Sequence, residues 1–282
     1  MGRDENVAVF EDTEKFCKQN RRLKESIAKS VAQQKLVQEG NILQIPDKNV
    51  YKEPAQIIVS KKRSFEAASA YKGRKVCVHN FASASNPGGG VARGANAQEE
   101  CLCRCSSLYF CLNTSEMWNG FYQPHRYAQN PLHNDDIIYT PNVTVFKTDT
   151  ADPKLMAERD WYEVNVITCA APNLRQHPSN AYNSGDGDSA VRISDKELLA
   201  IHEKRLRRIL DVAALGGNEV VILGAFGCGA FSNNPEVVAQ AARNVIVDYR
   251  HAFKVIEFAV YCSPRDERNY KIFERMLQAN IR

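Results

Sequence analysis

The sequence predicts an α/β fold in which a central mixed sheet carries helices on both faces. Three observations support this prediction. Apolar segments of strand length alternate with helix-like segments, which is typical of such a sheet. Two of these apolar segments run directly into glycine-rich loops that lead into helices. No internal repeat or low-complexity linker divides the 282 residues, so we expect a single domain over 1–282, of which about 1–72 is a mainly helical N-terminal extension.

Composition and charge narrow the class of protein. The chain is 44% hydrophobic and 25% charged, as globular proteins are, and its net charge of +4 does not imply direct nucleic-acid binding. The N-terminus is charged from the third residue and resembles no secretory signal. No apolar run approaches the roughly 18 residues that span a bilayer, so we expect a soluble protein without a membrane partner.

Cysteine usage indicates a compartment. The chain has nine cysteines, an odd number, and most lie in apolar or helical surroundings. This predicts free thiols in a reducing environment, in the cytoplasm or the nucleus. Cys101, Cys103 and Cys105 resemble metal ligands, but neighbours at i and i+2 on a helix point apart, so we expect no metal site.

The first quarter of the chain predicts two helices around an extended segment. Residues from about 11 to 38 are rich in Lys, Glu, Gln and Ala and predict one helix, which Gly40 and Asn41 end. An extended segment surrounds Pro54. A short second helix is expected from Ser64 to Tyr71.

The central part of the chain predicts strands and one more helix. The first strand is the mostly apolar RKVCVHNFAS, and a helix is expected from Gln98 to Leu112. Two short strands divided by Pro141 are expected in DIIYTPNVTVFK, and another in YEVNVITCAA. The segment from Pro172 to Asp188 is long and rich in Gly, Asn and Ser, which predicts an exposed, mobile loop.

The last third alternates helices and strands. A helix begins after Ser194, a capping residue whose capping box Glu197 completes, and glycines at 216 and 217 end it. The strand NEVVILG follows, and Pro235 then opens a helix. The strand KVIEFAVYC and the helix DERNYKIFERMLQA close the chain.

Two glycine loops indicate a binding cleft. The first is NPGGGVARGANAQEE, where three glycines permit a tight turn and close approach of a ligand. Its Glu99 and Glu100 either cap a helix start or do chemistry there. The second is GAFGCGAFSNNP, and its backbone N–H groups at a helix start suit phosphate. Neither loop fits a dinucleotide or P-loop signature, so two such loops predict a cleft that holds a diphosphate from both sides.

The stretch FASASNPGGGVARGANAQEECL resembles the signature of the bacterial-type poly(ADP-ribose) glycohydrolases, in which GGG is followed by QEE. The similarity extends through YTPNVTVFKTD, VITCAAPNL and LGAFGCGAFSNNP and covers nearly the whole chain. It implies a three-layer α/β/α macrodomain that binds ADP-ribose between the two loops. It also implies that Glu100 is the catalytic acid/base and that Glu99 holds ribose hydroxyls.

The resemblance implies further ligand contacts from both loops. The ligand-binding residues it implies are Asn86, Gly88, Gly89, Gly90, Gln98, Gly227, Cys228, Gly229, Ala230 and Phe231. Phe231 is either an ordinary core aromatic or a ring packed against a sugar. Val91 stands where the family has a larger aromatic, and Ser232-Asn233 also departs from its pattern.

The chemistry of these residues supports a hydrolase. Neighbouring helix residues point about 100° apart, so Glu99 and Glu100 are expected to divide into a positioner and a proton donor. We therefore expect hydrolysis of ribose–ribose bonds in poly(ADP-ribose), with ADP-ribose as the product, by a monomer that uses no cofactor. Two alternatives stay open: a non-catalytic ADP-ribose reader, and a hydrolase that removes mono-ADP-ribose from protein or nucleic acid.

Overall fold

A computed structural model of the chain describes residues 1–263 and 265–278. Its helices, within these residues, are α1 (Arg3–Gln19), α2 (Arg21–Gln33), α3 (Ser64–Ser69), α4 (Gln98–Cys105), α5 (Leu108–Leu112), α6 (Ser115–Met117), α7 (Gln123–Ala128), α8 (Asp195–Leu215), α9 (Pro235–Ile246) and α10 (Arg268–Gln278). Its strands are β1 (Lys35–Val37), β2 (Gln56–Ser60), β3 (Val76–Phe81), β4 (Ile137–Val145), β5 (Tyr162–Cys169), β6 (Val220–Leu223) and β7 (Val255–Ala259).

The strands form one mixed sheet, as predicted. Their order is β1-β4-β5-β3-β6-β7-β2. The pairs β1/β4 and β4/β5 are antiparallel, and every pair from β5 to β2 is parallel. The carboxyl ends of parallel strands meet at one edge, where α/β sheets place their ligands. The first glycine loop follows β3 and the second follows its neighbour β6, so this topology brings the two loops together.

Helices cover both faces of the sheet, which confirms the α/β prediction and gives three layers. On one face α8, α9 and α10 contribute Ile209, Val238 and Phe273 to the core. On the other face the core includes Phe10 of α1 and Leu102 of α4. Among the described residues, none of the helices is long and apolar enough to cross a membrane.

The prediction of one helix from 11 to 38 is wrong. Asn20 is extended and separates two helices: its backbone N–H ends α1 on the carbonyl of Phe16, and its side chain accepts from the N–H of Leu23 to open α2. The chain then forms β1, which pairs with β4 at the sheet edge. Composition favours helix there, but pairing with a distant strand outweighs propensity.

Two further boundaries differ from the prediction. The helix expected from Gln98 to Leu112 is broken after α4, because Ser106 is extended and bridges to Val145 of β4. Pro141 does not divide two strands. It lies within β4, whose register shifts between Thr140 and Val143 and so accommodates the missing N–H of the proline.

The C-terminal elements follow the prediction closely. Ser194 accepts from the N–H of Glu197 and completes the capping box that opens α8. Helix α9 begins at Pro235 but ends at Ile246, before the predicted boundary. Helix α10 is described from Arg268 to Gln278, and Ala279, which the prediction included, lies outside the described residues.

Candidate active site

A cleft of about 750 Å³ opens at the carboxyl ends of the parallel strands. This volume suits a ligand of nucleotide size. Its walls come from the first glycine loop with the start of α4, from the second loop, from the end of β7 and from residues 172–188 after β5, which we call the polar segment. Of the sequence-predicted site residues, the following line it: Gly89, Gln98, Glu99, Glu100, Gly227, Gly229, Ala230 and Phe231.

Glu100 is held in one orientation by the backbone. The N–H of Gly90 donates to its Oε1 at 2.9 Å, and the N–H of Ala97 donates to its Oε2 at 3.0 Å. The second bond belongs to the capping box that opens α4. Only 7% of Glu100 is exposed, so burial and these two bonds together restrict the orientation of its carboxyl group.

Glu99 lies beside it and is equally enclosed. Its Oε1 accepts from Asn80 Nδ2 at 3.2 Å, and its Oε2 accepts from the N–H of Ser83 at 2.7 Å. Burial, and then the proximity of Glu100, raise the pKa of Glu99 to about 8. Both effects favour the protonated form of Glu99.

Gly89 keeps the space between the two carboxylates open. Its φ is +60°, in the left-handed region that side chains rarely adopt. A Cβ there would lie 2.5 Å from Glu100 Oε1 and 3.2 Å from Glu99 Oε2. The glycines of the first loop thus leave room for a ligand atom that both carboxyl groups can reach.

The second loop presents unused donors to the cleft. Gly227 has a φ of +77°, and a Cβ on it would meet Ala171 at 2.7 Å. Across residues 1–263 and 265–278, the backbone N–H groups of Gly227, Gly229, Ala230 and Phe231 have no protein acceptor. A row of free N–H groups in a turn suits phosphate oxygens.

Gln98 and Asn86 both hydrogen-bond within the protein. The side-chain amide of Gln98 donates to Ser64 Oγ and to the carbonyl of His79, and its oxygen accepts from the N–H of Phe81. It therefore ties α4 to β3. Asn86 donates to the carbonyl of Ser184 at 2.7 Å and does not line the cleft.

Three other predicted residues also lie behind the cleft surface. Gly88 packs so closely on Tyr109 that a Cβ would lie 2.8 Å from the ring. Gly90 adjoins the backbone of Tyr182, and the Cys228 thiol contacts the carbonyl of Phe226. The ligand contacts expected of these residues stay predictions.

The polar segment after β5 is a loop, as its composition suggests, but it is exposed only in part. Asp186 is 2% exposed and joins the segment to the first glycine loop, since its Oδ1 accepts from Ser85 Oγ at 2.7 Å. Its Oδ2 accepts from the amides of Asn173 and Asn183 and lies 3.2 Å from His133 Nε2. Burial alone would raise the pKa of Asp186, but the bond with His133 and the other donors lower it. The prediction of exposure is wrong for these three buried residues of the segment.

Sequence reasoning missed several residues that line the cleft. They lie at the end of a strand or in the segment after one and include Phe81, Asp149, Arg175, Tyr182, Asn183 and Tyr261. Asp149 is 6% exposed, and its Oδ1 has no partner among the residues described. For most of them the signal is their position at or after the carboxyl ends of β3, β5 and β7, at the ligand edge of the sheet. Asp149 has no such signal, because it follows β4, which runs antiparallel to β5.

The three cysteines of α4 face different surroundings. The Cys101 thiol accepts from Arg63 and Arg104, whereas Cys103 lies under Gly88. Cys105 contacts the carbonyl of Thr148. In the part of the chain that the structure describes, no group of three His, Cys, Asp or Glu side chains is arranged to hold a metal ion.

A family model matches this architecture. The model, described as the microbial-type PARG catalytic domain, covers residues 4–148, which include α1, the first glycine loop and both glutamates. The chain belongs to this family of poly(ADP-ribose) glycohydrolase domains. The resemblance inferred from GGG and QEE is thereby confirmed. No curated protein matches the chain.

Solved structures of bacterial glycohydrolases are similar over nearly the whole chain. The poly(ADP-ribose) glycohydrolase of Thermomonospora curvata is 26% identical, with a TM-score of 0.80, and the match covers 97% of this chain and 100% of that one. The same enzyme bound to the inhibitor ADP-HPD is 28% identical over 97% and 99% of the two chains, with a TM-score of 0.80. The Deinococcus radiodurans enzyme in complex with ADP-ribose is 29% identical over 90% and 98%, with a TM-score of 0.73.

Replacing Gly89 by alanine should abolish most activity without unfolding the protein. The new Cβ would displace the Glu100 carboxylate, so we expect release of ADP-ribose from polymer to fall by about 100-fold or more. Gly73→Ala is the matched control, because Gly73 has a φ of +87° but nothing within 4 Å of the added Cβ. Equal activity in the two variants, with equal thermal unfolding, would show that the space over Gly89 is not needed.

The raised pKa of Glu99 should make folding stability fall as pH rises. Below pH 4.5 the carboxyl is protonated in both states, whereas between 4.5 and about 8 only the folded state keeps the proton. Stability should therefore decline across that window, and by less in Glu99→Gln. We expect the two declines to differ by at least about 1.4 kcal/mol, which corresponds to one pKa unit. Thermal unfolding at both ends of the window measures this, and Glu163→Gln, an exposed carboxylate, should decline like the wild type.

Proposed function

We propose that this protein hydrolyses ribose–ribose O-glycosidic bonds in poly(ADP-ribose) and releases ADP-ribose. The observation that carries the proposal is the pair Glu99 and Glu100, buried side by side and facing the space that Gly89 leaves open. A protein that only binds ADP-ribose has no use for a buried carboxyl pair at this point. Similarity to one glycohydrolase bound to the inhibitor ADP-HPD and to another in complex with ADP-ribose supports the same conclusion.

The free donors of the cleft suggest how the ligand lies. The N–H groups of Gly227, Gly229, Ala230 and Phe231 would hold the diphosphate. The distal ribose would then lie between the two loops, over Gly89. The ring of Phe231 lies at this edge of the cleft, 5.1 Å from the Arg175 guanidinium, and would pack against the sugar.

In the proposed reaction Glu100 acts twice. Its carboxyl group first donates a proton to the oxygen that leaves with the neighbouring ribose, while the bond from that oxygen to the anomeric carbon breaks. The resulting carboxylate then takes a proton from water, whose oxygen bonds to the anomeric carbon. Water is consumed, one glycosidic bond is lost and Glu100 ends in its starting state. Glu99 would hold the ribose hydroxyls during both steps.

The electrostatics of the pair bear on this division of roles. Burial and the neighbouring Glu100 raise the pKa of Glu99 to about 8 and so favour its protonated form. We still assign proton transfer to Glu100. A Cβ added at Gly89 would lie closer to Glu100 Oε1 than to Glu99 Oε2, so the Glu100 oxygen is nearer to the space that Gly89 leaves open. A protonated Glu99 would donate a hydrogen bond to a ribose oxygen and would not repel Glu100.

Asp149 would recognise the adenine base of the ligand, at the end of the cleft away from the two glutamates. Its Oδ2 accepts from the N–H of Phe65 at 2.9 Å, and its Oδ1 is buried without a partner in the described residues. Ser64, which adjoins it in the lining, accepts from Gln98 and keeps its hydroxyl proton for another acceptor. A carboxylate beside a hydroxyl donor complements the amino group and ring nitrogen of adenine.

We further infer how the chain works in the cell. It would act as a single domain over 1–282, in which the extension of about 1–72 contributes helices and also β1 and β2. Its nine cysteines are free and most are buried, which supports an intracellular location, in the cytoplasm or the nucleus. We propose a monomer that acts on poly(ADP-ribose) or ADP-ribosylated protein.

The glutamate assignment predicts different defects for two variants. Glu100→Gln cannot transfer a proton, so single-turnover release of ADP-ribose should fall about 100- to 10,000-fold, with little change in affinity for free ADP-ribose. Glu99→Gln should weaken substrate positioning and lower turnover less. Chromatography of the products and calorimetry with ADP-ribose measure the two effects.

Three outcomes would change these conclusions. Full activity of Glu100→Gln would overturn its assignment, and a larger loss in Glu99→Gln would transfer the role to Glu99. Wild-type protein that binds ADP-ribose but cleaves no ADP-ribosylated substrate would be a reader. Cleavage restricted to mono-ADP-ribosylated protein or nucleic acid would keep the hydrolase and change its substrate.

If Asp149 recognises the adenine base, Asp149→Asn should change the preference of the protein between ADP-ribose and its hypoxanthine analogue. The asparagine can keep the bond from Phe65 and present its amino group where the free oxygen was. Affinity for ADP-ribose should fall about tenfold, and affinity for the hypoxanthine analogue, which carries an oxygen at that place, should rise. Calorimetry with both ligands tests this, with exposed Asp152→Asn as the control. Unchanged discrimination would exclude Asp149 from base recognition.

A further inference from the structure

Three exposed residues, Arg3, Arg93 and Tyr182, form a rim beside the first glycine loop; we call them the arginine rim. Arg3 Nε donates to the carbonyl of Arg93 at 3.2 Å, and Arg93 Nη2 donates to the carbonyl of Tyr182 at 3.3 Å. The Arg3 guanidinium lies 5.8 Å from the centre of the Tyr182 ring. Residues from α1, from the turn after the three glycines of the first loop and from the polar segment thus meet in one place.

The arginine rim adjoins the catalytic end of the cleft. Tyr182 lines the cleft, and a Cβ on Gly90 would lie 3.0 Å from the Cβ of Tyr182. Gly90 is the residue whose N–H holds Glu100 Oε1. The rim therefore adjoins Gly90, the residue whose N–H binds the carboxyl group that we assign to proton transfer.

The charge of the arginine rim is not neutralised locally. Within residues 1–263 and 265–278, neither Arg3 nor Arg93 has a carboxylate within 4.0 Å, and their side chains donate to carbonyl groups. Two cations beside an exposed aromatic ring form the combination that binds phosphate groups and stacks bases in single-stranded nucleic acids.

We propose that the arginine rim is a subsite for the neighbouring ADP-ribose unit of the polymer. This proposal rests on the proposed function. The unit being released would fill the cleft, with its diphosphate on the second loop, so the rest of the polymer leaves past Glu100 and Gly89. The next unit carries an adenine and a negatively charged diphosphate, and Tyr182 and the two arginines lie where these groups emerge.

The subsite makes polymer and free ADP-ribose bind differently, because free ADP-ribose has no neighbouring unit. The rim is also fixed in place, since Asn6 Nδ2 donates to the carbonyl of Gly94 at 3.1 Å and holds α1 against the turn. Removing the two guanidinium groups leaves this bond intact. The double variant Arg3→Ala/Arg93→Ala should therefore fold normally.

The test compares polymer and ADP-ribose binding in a Glu100→Gln background, which prevents turnover. In the double variant, affinity for poly(ADP-ribose) should fall about three- to tenfold, as expected for two exposed charge contacts, and its salt dependence should weaken. Affinity for free ADP-ribose should stay within about twofold. The matched control is Arg74→Ala/Arg243→Ala, which removes the same charge from exposed positions outside the cleft lining.

The outcomes separate this proposal from the proposed function. Loss of polymer affinity in the rim variant alone supports the subsite, even if the wild-type protein proves to be a reader. Equal losses in the rim variant and the control would mean a general charge effect and would overturn it. Unchanged polymer affinity in the rim variant would also overturn the proposal. Equal affinity of the Glu100→Gln parent for polymer and for ADP-ribose would overturn it too. Both outcomes apply whether or not the wild type hydrolyses polymer.

Discussion

The site depends on one electrostatic constraint: two neighbouring carboxyl groups are buried together under a loop that has no side chains. Bringing Glu99 and Glu100 out of water is unfavourable, and their proximity adds to the cost. The fold offsets it with three backbone N–H groups and one side-chain amide, each donating to one of the four oxygens. These donors come from β3 and the residues just after it, the first loop and the start of α4, so the glutamates link these elements to one another.

The N-terminal helices belong to this arrangement. Asn6 of α1 bonds to the carbonyl of Gly94, and Gly94 approaches Arg3 so closely that no side chain would fit between them. Helix α1 thereby supports the turn that follows the three glycines. In the sequence α1 looks like part of an N-terminal extension. In the structure it packs against the turn whose neighbouring residues, Gly90 and Ala97, bind Glu100.

The parts of the fold that could be predicted are those whose signal lies in their own residues. The apolar strands and the capped helix after Ser194 are of this kind. The break at Asn20, the bulge after Pro141 and the buried place of Asp186 depend on partners distant in sequence, which composition does not reveal. In the site, GGG and QEE located the glutamates, but Asp149 lacks any local motif and is recognised only through its place in the folded cleft.

The attachment of the polar segment through Asp186 has a consequence for the energetics of binding. The segment is joined from inside to the first loop and to His133, and its Leu174 N–H bonds to the carbonyl of Phe231 in the second loop. Both walls of the cleft are therefore held by contacts within the protein itself. Little conformational entropy is lost when a ligand enters such a preorganised cleft, so more of the contact energy is available as affinity.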